Sequence, residues 1–164
     1  MTWPNTGEPN RWWREVDSFI REISSETNLW LRNTRYKYLN LTIDTRNRTF
    51  RVYDRDRQET TPDSVMDAVN DARKIYKSKE FITEIAIRED PILIHLPKPA
   101  RHHDLVHIYF SLTGKTAPSG DAQGFLTNRG RFVDRQEACV IARLADQIKE
   151  KTGPEDILFS EDLW

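Results

Sequence analysis

Gln123-Gly124-Phe125-Leu126-Thr127-Asn128-Arg129-Gly130-Arg131-Phe132-Val133-Asp134-Arg135-Gln136-Glu137-Ala138 is the stretch on which the fold turns. Phe125-Leu126 and Arg131-Phe132-Val133 flank Thr127-Asn128-Arg129-Gly130, a set of turn-forming residues, and this predicts a small β-hairpin. Asp134, followed three residues later by Glu137, predicts a capping box at the start of a helix. That helix carries Ala138, Ile141, Ala142, Ala145 and Ile148 on one face and is expected to end at Gly153-Pro154. An apolar-acidic tail, Ile157-Leu158-Phe159-Ser160-Glu161-Asp162-Leu163-Trp164, follows.

Working towards the N-terminus, residues 81–87 and 92–96 read as two strands around Glu89-Asp90-Pro91. Leu96-Pro97-Lys98-Pro99 must then leave the sheet, because proline cannot donate to a ladder. A short helix is predicted over 102–112, stopped by Gly114, with loop over 114–121. Thr61, Pro62 and Asp63 mark the start of another helix, with Val65, Met66, Val69, Ala72, Ile75 and Tyr76 on its inner face. Residues 36–43 and 49–53 alternate with period two and predict a hairpin around 44–48. Trp12, Val16, Phe19, Ile20 and Ile23 recur at helical spacing, so residues 11–27 read as one amphipathic helix flanked by Trp13 and Trp30. Residues 1–10, with Pro4, Gly7 and Pro9, read as an irregular lead-in. The predicted class is α+β, with small antiparallel sheets and packed helices, divided into an N-terminal helix, hairpin and helix over 1–80 and a second module over 81–164.

Composition narrows the function classes. Over 164 residues the chain is 37% hydrophobic with a mean hydropathy of -0.73, but aromatics reach 10% and can anchor a core. Lys plus Arg is 25 and Asp plus Glu is 26, so the net charge of -1 disfavours a nucleic-acid polymer as partner. Any anion site must be a local cluster of arginines. The single cysteine, Cys139, leaves no internal disulfide and no cysteine-based zinc site. No apolar run approaches the roughly 20 residues of a membrane span, and no signal-peptide pattern opens the chain, so a cytoplasmic protein is expected.

His103 and His107 stand four apart on a predicted helix beside His102 and Asp104, a spacing that can bring two ligands to one metal. The sets are incomplete: no glutamate completes an H-E-x-x-H pattern, no G-x-S-x-G elbow is present, and Cys139 reads as a small buried residue. Asp54-Arg55-Asp56-Arg57 offers two carboxylates, but alternating arginines neutralise them. The segment 123–137 differs in character. Its glycines permit close backbone approach, Phe125 or Phe132 can stack on a purine, and Arg129, Arg131 and Arg135 can bind phosphate oxygens in bidentate fashion. Arg101-His102-His103 adds positive character at a helix N-terminus. Together they suit a small phosphorylated nucleotide, set against a plain hairpin-to-helix connection with surface arginines.

The order of residues 81–87, Arg101-His102-His103-Asp104-Leu105-Val106, Gln123-Gly124-Phe125-Leu126-Thr127, Gly130-Arg131-Phe132-Val133-Asp134-Arg135, Glu137-Ala138, Gln147-Ile148 and Ser160-Glu161-Asp162-Leu163 resembles the first-described Thoeris anti-defence family. These are phage proteins that sponge up nucleotide signals of bacterial immunity. The resemblance covers about residues 81–164, and residues 1–80 have no counterpart in it. It implies an α+β protomer with an antiparallel sheet and two helices, assembled into dimers or larger homo-oligomers. It further implies tight binding of a cyclic nucleotide, of the cyclic ADP-ribose type or a cyclic oligonucleotide, without cleavage and without cofactor or metal. By position, Phe125 after Gln123-Gly124 would stack on the base, and Arg131, Asp134 and Arg135 would contact ribose and diphosphate. The tail around Ser160, Glu161 and Asp162 would close the pocket, with Arg101 and His102 nearby. The competing expectations are a metal-dependent phosphodiesterase using His102, His103, His107 and Asp104, and an inhibitor of a host defence complex that binds protein through the aromatic N-terminal half.

Overall fold

The computed structural model describes residues 11–23, 27–33, 37–47, 49–54 and 62–164. The predicted lead-in over 1–10, the charged turn at 55–57 and the Thr61 cap lie outside them, as do the side chains of Trp12, Trp13, Val52 and Val65. The chain forms two compact units, residues 1–79 and residues 80–164.

In the first unit, helix α1 (Arg11–Glu22) and helix α2 (Pro62–Ser78) accompany a three-stranded sheet, β1 (Thr27–Asn33), β2 (Lys37–Asp44) and β3 (Thr49–Asp54), antiparallel in the order β1-β2-β3. The helix expected to reach residue 27 stops at Glu22, and Thr27–Asn33 is a strand. Its own alternation explains this. Leu29 and Leu31 are buried beside Leu39 and Leu41 of β2, while Trp30 on the opposite face stacks on Tyr38 with centroids 5.1 Å apart. The helices meet through Phe19 and Tyr76, edge to face at 6.2 Å, and through Arg73, which pairs with Glu22 and donates to the Ser18 hydroxyl at 2.8 Å.

The second unit holds a four-stranded antiparallel sheet in the order β5-β4-β6-β7, made of β4 (Ile82–Glu89), β5 (Ile92–Pro97), β6 (Gln123–Thr127) and β7 (Phe132–Asp134). The hairpin predicted from the opening stretch is β6-β7. Pro97 keeps its place in the ladder opposite Glu84, because it is the last residue of an edge strand. Helix α3 (His102–Thr113) packs on β4 and β5, and helix α4 (Arg135–Leu144) on β4, β6 and β7. Gly114 ends α3 in the left-handed region, φ 73°, with its N–H bonded to the Phe110 carbonyl at 2.8 Å.

Helix α4 ends at Leu144 rather than near residue 152. The amide of Gln147 is drawn away to the start of β4, bonding both the N–H and the carbonyl of Ile82 at 2.8 Å, and Asp146 turns the backbone at φ 55°. The chain then runs through loop to a single 3₁₀ turn, Ser160–Asp162. Ile85, Ile87, Leu105, Tyr109, Phe125, Val133, Ile141 and Leu158 form the buried centre of this unit.

Candidate functional site

Helix α3 begins at His102, and the preceding Arg101 donates its backbone N–H to Asp104 Oδ2 at 2.7 Å. His102 is 7% exposed. Its Nε2 lies 2.8 Å from the Gly124 carbonyl, and its ring meets Phe125 edge-on with centroids 4.9 Å apart. A carbonyl only accepts, so Nε2 carries the proton, and Nδ1 of the neutral ring is then an acceptor. That Nδ1 is buried with no partner, and so is Arg101 Nη1, a donor on the adjacent residue.

Burial lowers the His102 pKa to about 4. The Arg135 charge adds to this, while the Gly124 bond and Glu161 oppose it. The ring is therefore neutral at physiological pH. Because the unfolded chain takes up a proton near pH 6.5 and the folded chain does not, stability falls as pH drops from 6.5 towards 4. The loss is about 3 kcal/mol. Denaturant titrations from about pH 7 down to pH 4 should show this slope, and His102→Gln should flatten it.

Arg135, the first residue of α4, gathers the other side of this region. Its Nη1 donates to the Leu158 carbonyl at 2.9 Å, its Nη2 to Gln123 Oε1 at 3.1 Å, and its guanidinium lies over the Phe159 ring at 5.0 Å. Burial lowers its pKa, countered by the charges of Glu161 and Asp162. The C-terminal residue closes the arrangement, with Trp164 Nε1 donating to the Ala100 carbonyl at 3.1 Å. Arg101, His102, Gln123, Gly124, Arg135 and Glu161 thus converge where the tail crosses the start of α3 and the β6-β7 hairpin.

Other residues singled out from the sequence sit elsewhere or are occupied. Phe125 is fully buried in β6 between Ile85 and Val133, so in this structure its ring offers no open face to a base. Phe132 is the half-buried aromatic of the hairpin, and it lies under the Arg88 guanidinium at 4.7 Å. Arg131 stands at the turn end of the hairpin, away from Arg135. Its Nε and Nη2 clamp Glu80 at 2.9 and 2.8 Å, and Nη2 also reaches Glu137 at 3.1 Å. Glu80 is itself buried and takes the Thr127 hydroxyl at 2.7 Å; the Arg131 bonds hold its carboxyl below the ordinary glutamate range against the opposing effect of burial.

Asp134 caps α4, accepting from the Gln136 and Glu137 N–H groups at 3.1 and 2.8 Å. Ser160 is buried and donates to Glu161 at 3.2 Å. Asp162 is buried and makes its hydrogen bonds to residues 151–159, so that only its charge reaches Arg135. It takes the Thr152 N–H at 2.6 Å, the Thr152 hydroxyl at 2.7 Å, the Phe159 N–H at 2.8 Å and the Lys151 ammonium at 3.0 Å.

The histidines do not gather. His95 pairs with Glu84 at 2.6 Å, exposed His103 lies 3.2 Å from Asp104, and His107 is exposed. Among the described residues no group of three His, Cys, Asp or Glu side chains is placed to hold a metal ion, and no helix is long and apolar enough to cross a membrane. Cys139 is buried and its thiol donates to the Glu155 carbonyl at 3.4 Å. Sequence reasoning missed Phe159 and Trp164, whose signal was an apolar-acidic tail ending in aromatics, and Glu80, which carries no local signal.

The second unit is thus an α+β module, an antiparallel sheet covered by two helices and bound across one end by its own C-terminal tail. The chain belongs to the phage T4 y16D protein family, whose family model matches residues 69–164, taking in this whole unit and the last part of α2. It is accordingly a member of a family of phage proteins. No curated protein and no solved structure matches it.

Proposed function

We propose that this phage protein binds a small nucleotide signal and sequesters it without cleaving it. The observation that carries the reading is the pair of unsatisfied buried atoms at the start of α3, the donor Arg101 Nη1 and the acceptor His102 Nδ1, beside the half-buried cation Arg135. Buried polar groups without partners are rare in folded proteins and cost about 1–3 kcal/mol each. A ribose phosphate serves both: a hydroxyl donates to the neutral His102, and phosphate oxygens accept from the guanidinium groups. Trp164 ties the tail to the Ala100 carbonyl next to these atoms, so release of that bond is the local step by which a ligand would reach them.

Sequestration works by mass action. A nanomolar complex needs about -12 kcal/mol, and a protein present in excess over its signal then leaves almost none free. Calorimetry with cyclic ADP-ribose isomers and cyclic dinucleotides tests the proposal, followed by heat denaturation and chromatography of the released compound. Tight binding and intact release are expected. Arg101→Ala should weaken binding about 10- to 100-fold without lowering the melting temperature, since it removes a buried donor that holds no partner in the free protein. Release of an altered product would replace sequestration with cleavage, and no binding across the panel would overturn the reading.

A further inference from the structure

Strand β5 is an edge of its sheet, and no described strand pairs with its outer side. Natural edges are blunted by charge, proline or a covering element, because an open apolar edge invites another strand. Here Ile92-Ile94-Leu96 turn inward and Leu93 is 45% exposed on the other face. The His95 ring is tied to Glu84, so it places no lone charge at the middle of the strand. Pro91 and Pro97 stand only at the two ends. Helix α3 lies along β4 and β5, with the Tyr109 hydroxyl fixed to Glu89 at the hairpin end by a 2.8 Å bond. It carries three more exposed apolar side chains, Ile108 at 38%, Phe110 at 51% and Leu112 at 63%.

We infer that β5 pairs with β5 of a second copy of this chain, antiparallel about a two-fold axis through Ile94. The register follows from the residues that cannot donate and from charge. Centring the axis on Ile94 sets Leu93 opposite His95 and Ile92 opposite Leu96. It also sets Pro91 opposite Pro97, so both residues without an N–H fall together outside the ladder. One step further out, the exposed Asp90 of each copy meets the exposed Lys98 of the other, at both ends of the ladder. A shift by one residue would break the proline match and the charge match together. The occupant is therefore a second copy, since the edge complements itself in apolar pattern, proline position and charge.

Light scattering and sedimentation of the full chain across a micromolar concentration range test this. The expected species is a dimer of about twice 19.4 kDa. Leu93→Asp should shift it to monomer. Asp90→Lys or Lys98→Asp alone turns two attractive pairs into two repulsive ones and should raise the dissociation constant about tenfold. The double exchange Asp90→Lys with Lys98→Asp should restore it. Circular dichroism should show all four variants folded, because all three side chains are exposed. A wild-type monomer throughout, or a dimer indifferent to Leu93→Asp, would overturn the interface; a dimer broken by Leu93→Asp but not rescued by the double exchange would overturn the register.

Discussion

Gly124→Ala should destabilise the second unit by about 3 kcal/mol or more, lowering its melting transition by roughly 12–24 °C. A Cβ on Gly124 would lie 2.1 Å from the Val133 carbonyl oxygen and 2.7 Å from Phe132 Cζ. The first neighbour is backbone of the paired strand β7, so relief requires moving β7 away from β6, not turning a side chain. The same movement would strain the Gly124 carbonyl that receives His102, and so disturb the start of α3. Gly120→Ala is the control, since nothing lies within 4 Å of the added carbon there. Thermal melts of the two variants decide the matter, and equal stability would show that β7 yields more easily than its register implies. The glycine in Gln123-Gly124 thus serves the close approach of two strands, where its sequence setting suggested the close approach of a ligand.

The second large effect is expected at Asp162. Asp162→Ala should cost about 3–5 kcal/mol, because it removes the carboxylate partner of Lys151 and leaves the Thr152 and Phe159 N–H groups without an acceptor. Burial alone would raise this carboxyl's pKa, but the bonds from Phe159, Thr152 and Lys151 outweigh it and hold it below the ordinary value of 3.8. A depressed folded pKa means that the contribution is complete above 3.8 and is lost as pH falls through the folded value. That window lies below the one set by His102, so acid titration should reveal two separate declines. Hydrogen exchange would distinguish a loosened tail from global unfolding. Protection should vanish first at Lys149, Asp162 and Leu163, whose N–H groups bond within the 149–164 segment. Unchanged protection there in Asp162→Ala would contradict the tail's dependence on this carboxylate.

These cases show where local sequence was informative and where it was not. The β6-β7 hairpin, the Asp134 cap and the Gly114 stop were legible because each rests on a few neighbouring residues and on backbone preferences that act within one turn. Strand β1 was missed because Thr27–Asn33 follows directly on a strong helical stripe, and its period-two pattern of Leu29 and Leu31 gains meaning only beside β2. Helix α4 stopped early because Gln147 found a distant partner in Ile82, a bond no local rule anticipates. The candidate site divided for a similar reason. Arg131 and Arg135 are close in sequence, yet a strand between them sends one to Glu80 at the turn and the other to the tail at the strand's far end.

What the sequence determined by itself was the α+β class, most element types, the absence of an internal disulfide and the residues rich enough in charge and aromaticity to form a site. These follow from periodicity, capping and composition, which depend on near neighbours or on none. Tertiary structure alone decided which of those residues are buried, which are already paired, and which are left with unsatisfied atoms. It buried Phe125, committed Arg131 to Glu80, and left Arg101 Nη1 and His102 Nδ1 buried without a partner. Burial and pairing depend on residues brought together from 80, 101, 124, 135 and 164, and that distance along the chain carries no signal until the chain is folded.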